Sequence, residues 1–307
     1  MSAHQKIKKN KKKIQKKRIK AKLEKLNKNK QLEDYVYLSW GNLANAVNDE
    51  KNEDGRYIKR EKGLHEAIKE LKTDSFCAME FRKCLNDDKS EMVQPEQLGD
   101  RLSEGTGLEI ATLRPQNLDE MCFWRGTFYN KKKLKPLQSF CKYAVNPVFG
   151  SKVVAERGVM LLFTQYVVKK TQKVFWVINV HMPMALPEKL ATIKWLNDNA
   201  VEECKKAGDP DPLVFCGGDM NTFFKDLGNG AGGQEMMDLF SNQWVYLTSN
   251  IEESFKAFKH DPLQITCLLD HIFVNKHQEK KYKLIKSYAI DTGMSDHYFM
   301  NIVVRLL

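Results

Sequence analysis

The apolar run Leu213-Val214-Phe215 leads into Gly217-Gly218-Asp219-Met220-Asn221, which sets a carboxylate and a carboxamide two positions apart behind paired glycines. A short apolar run that stops at Gly-Gly-Asp reads as a buried strand whose C-terminal end delivers Asp219 into a cleft. The glycines let the backbone turn sharply or let a substrate come close. If the strand continues through them, Asp219 and Asn221 share a face. The carboxylate can accept a proton, and the neutral amide can donate to a phosphate without adding negative charge. An ordinary strand-to-loop turn has the same composition. Other apolar runs, however, stop in the same way: at Asn42, at Glu80, at His181 and at Asp270, and Gly293-Met294-Ser295 gives way to Asp296-His297. Each alone fits a rim charge, a core imidazole or a turn. Recurring through one chain, they read as a shared site.

The elements that must position these residues follow from apolar periodicity. Tyr35 to Trp40 is rich in β-formers and exits at Gly41-Asn42, a first strand. Leu64, Ile68 and Leu71 share one face of a helix over 59–71, and 75–79 is a second buried strand ending at Glu80. Strand, helix, strand with a right-handed crossover makes the two strands sheet neighbours, so Asn42 and Glu80 emerge side by side. A polar loop spans 48–55, and 87–104 reads as a surface insertion. Further strands are expected at 121–124, 127–129, 159–168, 174–180, 267–274 and 298–306. A helix over 188–206 places Leu190, Ile193, Leu196, Ala200 and Cys204 inward, and a Gly-rich loop (228–233) precedes a short helix with Met236, Leu239 and Phe240.

The net charge of +11 is unevenly placed: residues 1–30 alone account for +13, so the remaining 277 residues carry −2. The basicity belongs to a lysine-rich arm over 1–33, disordered or fraying as a helix because its like charges repel at i,i+4. Such an arm suits a polyanion or a nuclear or nucleolar address, or serves only as a solubilising tail. The body, 34–307, is long enough to bury a substantial core. Seven dispersed cysteines without a Cys-x-x-Cys pair argue against a disulfide framework or a zinc site and for a reducing compartment. No apolar stretch resembles a secretory signal or a bilayer span, so an intracellular protein, cytoplasmic or nuclear, is expected.

The ordered series Trp-Gly-Asn42, Met-Glu80, Asn-Val-His181-Met-Pro, Gly-Gly-Asp219-Met-Asn221, Leu-Asp270-His-Ile-Phe-Val and Ser-Asp296-His297 resembles the endonuclease/exonuclease/phosphatase superfamily. The resemblance runs from about residue 35 to the end of the sequence and lies nearest the nocturnin-like branch. It implies a four-layer α/β sandwich, two mixed β-sheets face to face with helices outside. It further implies that Asn42 and Glu80 hold Mg²⁺ or Mn²⁺, with Asp296 nearby as a further ligand. By the same resemblance Asp219 activates or orients the attacking water, Asn221 and His181 contact the phosphate, and His297, oriented by Asp270, stabilises charge on the phosphoryl group. The residue types agree, since phosphoryl transfer needs a positioned nucleophile, a hard cation on oxygen and donors aimed at the equatorial oxygens. Two positions depart from the pattern: His271 follows Asp270 where many relatives carry Tyr, and Gly41 precedes Asn42 where a larger residue is usual.

The expected activity is metal-dependent hydrolysis of a phosphate ester, with nucleic acid, RNA or DNA, as the first substrate class. Phe128, Tyr129, Phe223 and Phe224 are candidates to stack on bases, and Lys131, Lys132, Lys133 and Lys135 for a basic stripe beside the site. A phosphoinositide or sphingolipid substrate at an anionic membrane is the alternative. Against it stand His271, where inositol phosphatases carry Arg, and Thr222, where they carry an aromatic. A non-catalytic binding protein on the same fold is the third reading.

Overall fold

Strands buried on both faces read as unbroken apolar runs, and the two clearest runs, 159–168 and 174–180, are such strands in a computed structural model of the protein. The structure describes residues 34–43, 58–81, 84–85, 92–93, 95–115, 124–144, 159–222, 233–256 and 266–307. The expected arm, the loop 48–55, residues 121–123, Phe223, Phe224 and the glycines of 228–232 lie outside them. Residues 36–307 group as one contact unit; of the other, 1–35, only Asp34 and Tyr35 are described.

Sixteen strands and four helices are described. The strands are β1 (Tyr35–Asn42), β2 (Ser75–Phe81), β3 (Cys84–Leu85), β4 (Met92–Val93), β5 (Glu109–Pro115), β6 (Trp124–Tyr129), β7 (Leu134–Ala144), β8 (Val159–Val168), β9 (Val174–His181), β10 (Val214–Asp219), β11 (Trp244–Tyr246), β12 (Phe255–Lys256), β13 (Thr266–Cys267), β14 (Asp270–Asn275), β15 (Tyr282–Ile290) and β16 (Phe299–Leu306). The helices are α1 (Ile58–Leu71), α2 (Pro95–Thr106), α3 (Leu186–Lys206) and α4 (Gly233–Phe240). One six-stranded sheet runs β15-β16-β1-β2-β6-β5 and the other β11-β14-β10-β9-β8-β7. Both are mixed: β1 and β2 are parallel, as are β9 and β10, among antiparallel neighbours.

Side-chain alternation along the strands separates the layers. Cys77 and Met79 of β2 join Trp40 and Leu38 of β1 against Phe175 and Val177 of β9 and Phe215 of β10, forming the core between the sheets. The intervening Phe76 and Ala78 face outward onto Leu64, Ile68 and Leu71 of α1 and Leu98 and Leu102 of α2. Trp176 and Ile178 likewise face Ile193, Leu196, Ala200 and Cys204 of α3 and Met236 and Phe240 of α4. The result is the expected four-layer sandwich, with helices outside two mixed sheets.

Several local expectations change. The insertion over 87–104 is not a surface loop throughout, because Leu98 and Leu102 recur at helical spacing and anchor α2. β5, β7 and β15 replace stretches that carried no strand expectation. β7 and β15 are half-buried along most of their length, without clear apolar–polar alternation, which masks the strand signal. The expected strand 267–274 is divided into β13 and β14. On α3, Lys189 and Thr192 are buried along with the apolar positions, whereas Leu190 is only partly covered.

Candidate active site

Strand direction gathers the polar termini. Asn42, Glu80, His181 and Asp219 all sit at C-terminal strand ends, two from each sheet. β14 runs antiparallel to β10, which sets its first residue, Asp270, beside Asp219, while His181 is the partner of Asp219 on the other side. His297 lies just before β16 and bridges to Phe255. Across the sheets, the buried Asn42 Nδ2 donates to Asp219 Oδ2 at 3.0 Å and to Glu80 Oε1 at 3.1 Å. Glu80 reaches this point with φ at 58°, where the β2–β6 register shifts. A non-glycine residue held there costs of order 1–3 kcal/mol, and such strain concentrates at functional sites.

Asp219 is the hub. Its Oδ1 accepts the backbone N–H of Asn221 at 2.7 Å. Its Oδ2 lies 3.7 Å from His181 Nε2 and 3.7 Å from His297 Nε2. His181 Nε2 is also 3.6 Å from Glu80 Oε1. On the far side, His297 Nδ1 lies 2.8 Å from Asp270 Oδ2, which also accepts the hydroxyl of Ser254 at 2.8 Å. Ser254 Oγ in turn accepts the backbone N–H groups of Leu269 and Asp270. Burial alone would push the His297 imidazole down. The carboxylates of Asp270 and Asp219 outweigh it and raise the pKa to about 10. His297 is therefore an imidazolium at neutral pH, a fixed positive charge with a donor beside Asp219. Its 3.5 Å approach to Asn42 Nδ2 is then a contact between two donors, not a hydrogen bond.

Two expectations at this site are corrected. The strand stops at Asp219, and Asn221 takes φ of 49°, so the two side chains do not share a strand face. Asn221 instead closes a turn, and its Nδ2 donates to Met182 O at 2.8 Å, tying the β10 exit to the β9 exit. The glycines serve packing rather than substrate approach. A Cβ on Gly218, with φ at 142°, would stand 1.8 Å from Val180 O. Gly41 is explained similarly: a Cβ there would meet the rings of Phe299 at 2.7 Å and Phe76 at 2.9 Å.

Among the described residues, two sets of carboxylate and imidazole atoms lie within 4.8 Å of one another: Glu80, His181 and Asp219, and Asp219, Asp270 and His297. Asp296 belongs to neither, and its Oδ1 lies 3.4 Å from Ser295 Oγ. His271, after Asp270, is fully buried: its Nε2–H donates to Thr222 O at 3.1 Å and its Nδ1 accepts from Tyr246 OH at 2.9 Å. Burial pushes its pKa down to about 3, so it is a neutral packing residue. Thr222 is buried too, and accepts from Lys189 Nζ at 2.9 Å.

The sequence reading missed Arg125, Ser254 and Lys189. Arg125 is fully buried on β6; its guanidinium donates across the sheets to Met160 O and to His181 O, the latter at 2.9 Å. Burial lowers its pKa to about 9, with Tyr143 and Asp219 opposing, so it remains charged at neutral pH beneath a cluster of carboxylates. Residue parity held the signal. Arg125 has the same parity as Thr127, which points inward to Thr164 Oγ1.

The lysines expected beside the site are not there. β6 runs antiparallel to β2, with Tyr129 opposite Ser75, so Lys131, Lys132, Lys133 and Lys135 follow the end of β6 remote from Glu80. Phe128 is a fully buried core ring, and Tyr129 lies at the same remote end, so neither stacks on a substrate at this cluster.

No protein-family model matches the chain, and no curated protein sequence matches it. Solved structures do. The endonuclease/exonuclease/phosphatase from Bacteroides vulgatus is 14% identical with a TM-score of 0.63, covering 89% of this chain and 99% of that one. The human Nocturnin catalytic domain with bound sulfate is 14% identical with a TM-score of 0.60, covering 89% and 95%. D. rerio TDP2 complexed with a single-strand DNA product is 13% identical with a TM-score of 0.60, covering 88% and 98%. Likeness at such low identity establishes architecture, and by that measure the protein has the α/β sandwich fold of the endonuclease/exonuclease/phosphatase proteins.

Proposed function

We propose that the protein is a metal-dependent phosphoester hydrolase acting on nucleic acid. The observation that carries this reading is the convergence on Asp219 of two imidazoles, one of them held by Asp270 as a cation, with Asn42 and Glu80 completing the cluster. A carboxylate flanked by donors suits a water nucleophile and a phosphoryl group that gains negative charge. Asp219, fixed by the Asn221 N–H and Asn42, accepts the proton of a water whose oxygen forms the new P–O bond as the leaving-group bond breaks. His297 and His181 donate toward the phosphoryl oxygens, and the second N–H of the Asn221 amide adds a donor.

The donor chemistry fits a hard divalent cation. Glu80 Oε1 and Asp219 Oδ2 supply two carboxylate oxygens, with Glu80 partly open to solvent. Glu80 would hold Mg²⁺ or Mn²⁺, joined by Asn42 when its amide turns to present Oδ1; when bound, the cation would polarise a phosphate oxygen. Asp296 remains a candidate for a more distant ligand.

Nucleic acid is favoured because structures of this fold include one with a single-strand DNA product, and because residues 1–30 supply +13. Purified protein should hydrolyse single-stranded RNA or DNA with Mg²⁺ or Mn²⁺, lose activity in EDTA and regain it on adding metal. Undiminished turnover in chelator would sink the metal assignment. Turnover of phosphoinositides in preference to every nucleic acid offered would sink the substrate.

A further inference from the structure

We infer that the end of the protein opposite the candidate active site is a docking face for an anionic lipid bilayer. Three turns close the strands there, and with the first strand residues beyond them they span 131–135 (from β6 into β7), 169–173 (between β8 and β9) and 276–283 (from β14 into β15). Together they hold eleven lysines and one carboxylate, Glu279. Hydrogen bonds join them into one surface. Lys169 N donates to Lys133 O at 2.9 Å, Lys173 Nζ to Leu306 O at 2.9 Å, and Leu307 N to Lys281 O at 2.8 Å. The neighbouring carboxylates Asp74, Glu109 and Asp211 pair with Lys133, Lys131 and Lys281. Set against these carboxylates, Glu279, and Asp34 and Asp209 at the same end, the eleven lysines leave a net positive count, on a body of 277 residues whose total is −2. Positive charge is therefore gathered at one end.

The chemistry favours lipid. Lysine ammoniums are mobile point charges, suited to a diffuse plane of anionic headgroups rather than to a fixed bidentate partner. Two aliphatic side chains are exposed at the same end, Val174 at the start of β9 at 36% and Leu307, bonded to Lys281, at 51%. Charge to attract and apolar area to bury at the headgroup boundary are the two requirements of an interfacial surface. A single-stranded nucleic acid docked here would call for exposed rings, yet the exposed apolar side chains of this end are aliphatic. Distance agrees. The strands separate this face from Asp219 by roughly 20 Å at about 3.3 Å per residue, so phosphates held there are not those presented to the cluster. Docked this way, the candidate active site faces away from the lipid.

The test is co-sedimentation of the full chain with phosphatidylcholine vesicles, with and without phosphatidylserine, beside binding to single-stranded RNA. Lys132→Glu/Lys170→Glu reverses two exposed lysines of this face; Lys62→Glu/Lys194→Glu makes the same charge change on α1 and α3. The first variant should lose at least about tenfold in partition onto phosphatidylserine vesicles, and the second should stay within about twofold of the unmodified chain. Equal losses in both variants would assign the attraction to net charge and overturn the proposal. So would a wild-type chain that ignores the vesicles, or a loss confined to RNA. Lys132→Gln/Lys170→Gln, with half the charge change, should show a smaller loss of the same kind and guards against misfolding of the reversed variant. Binding is read without turnover, so this outcome is independent of the proposed hydrolysis.

Discussion

Two buried histidines, His271 and His297, are opposite in electrostatics, and their titration can be read separately. His297 is raised to about 10 by Asp270 and Asp219 against its burial. A group with a raised folded pKa contributes its full stability below the unfolded value, about 6.5, and loses it as pH rises through about 10. His271 is lowered to about 3 by burial. Its contribution is complete above about 6.5 and is lost as pH falls toward about 3, because the unfolded state then binds the extra proton. In chelator, the urea midpoint of the wild type should therefore fall on both sides. His297→Gln should flatten the alkaline limb and His271→Gln the acid limb, each by up to about 1.4 kcal/mol per pH unit. An unchanged alkaline limb in His297→Gln would mean that the imidazole is not held as a cation. The same residue carries the catalytic expectation. Asp219→Asn and His297→Gln should each lower kcat by at least about a hundredfold with folding intact. The double variant should cost far less than the product of the two, since both act on one transition state; near-wild-type turnover in either single variant would remove that residue from the mechanism.

At the scale of elements, the junction of β9 and β10 is the least forgiving part of the scaffold. Gly218 is held at φ 142° with Val180 O where a Cβ would stand, and Met182 N donates to Asp219 O at 2.8 Å just beyond. Gly218→Ala should therefore destabilise by more than about 3 kcal/mol, combining backbone strain with overpacking. A denaturation midpoint within error of the wild type would show that the strands can separate without loss. The same junction shows what the sequence could disclose. Its strand, its glycines and Asp219 were legible, because a strand buried on both faces leaves a continuous apolar run that stops at a polar residue. Asn42, Glu80 and His181 were legible for the same reason, whereas Asp270 opens β14 and His297 precedes β16, so only the Leu-Asp and Ser-Asp-His segments of the resemblance pointed to them. The role of Gly218 was not, since its cause is the Val180 carbonyl of a neighbouring strand. β7 and β15 were hidden because their half-buried positions mix apolar and polar residues without a period of two. The position of Lys131–Lys135 also needed strand direction, which the residues do not encode locally: only the antiparallel pairing of β6 with β2 sends them away from Glu80. Arg125 escaped because a buried arginine looks like any other until both sheets are in place.

At the scale of the whole molecule, charge and chemistry are set at different places. Residues 1–30 carry +13 and the rest −2, so removing them abolishes net long-range attraction to a polyanion. The lysine turns keep a local excess, but its reach is limited to about the Debye length, near 10 Å in ordinary buffer. Among the described residues, the hydrophobic clusters that support Asn42, Glu80, His181, Asp219 and His297 draw on positions from Val36 onward. Deleting 1–30 should therefore leave kcat on a short soluble phosphodiester unchanged. It should also weaken binding to long nucleic acid and slow association, because steering depends on the net field. The plot of log K against log salt should flatten by about 0.7–0.9 for each phosphate the deleted lysines had neutralised. A fall in kcat on the short substrate would make the segment part of the catalytic apparatus. An unchanged salt slope would mean that its lysines touch no phosphate, and the attraction to nucleic acid would then have to come from the body, whose positive charge faces away from Asp219.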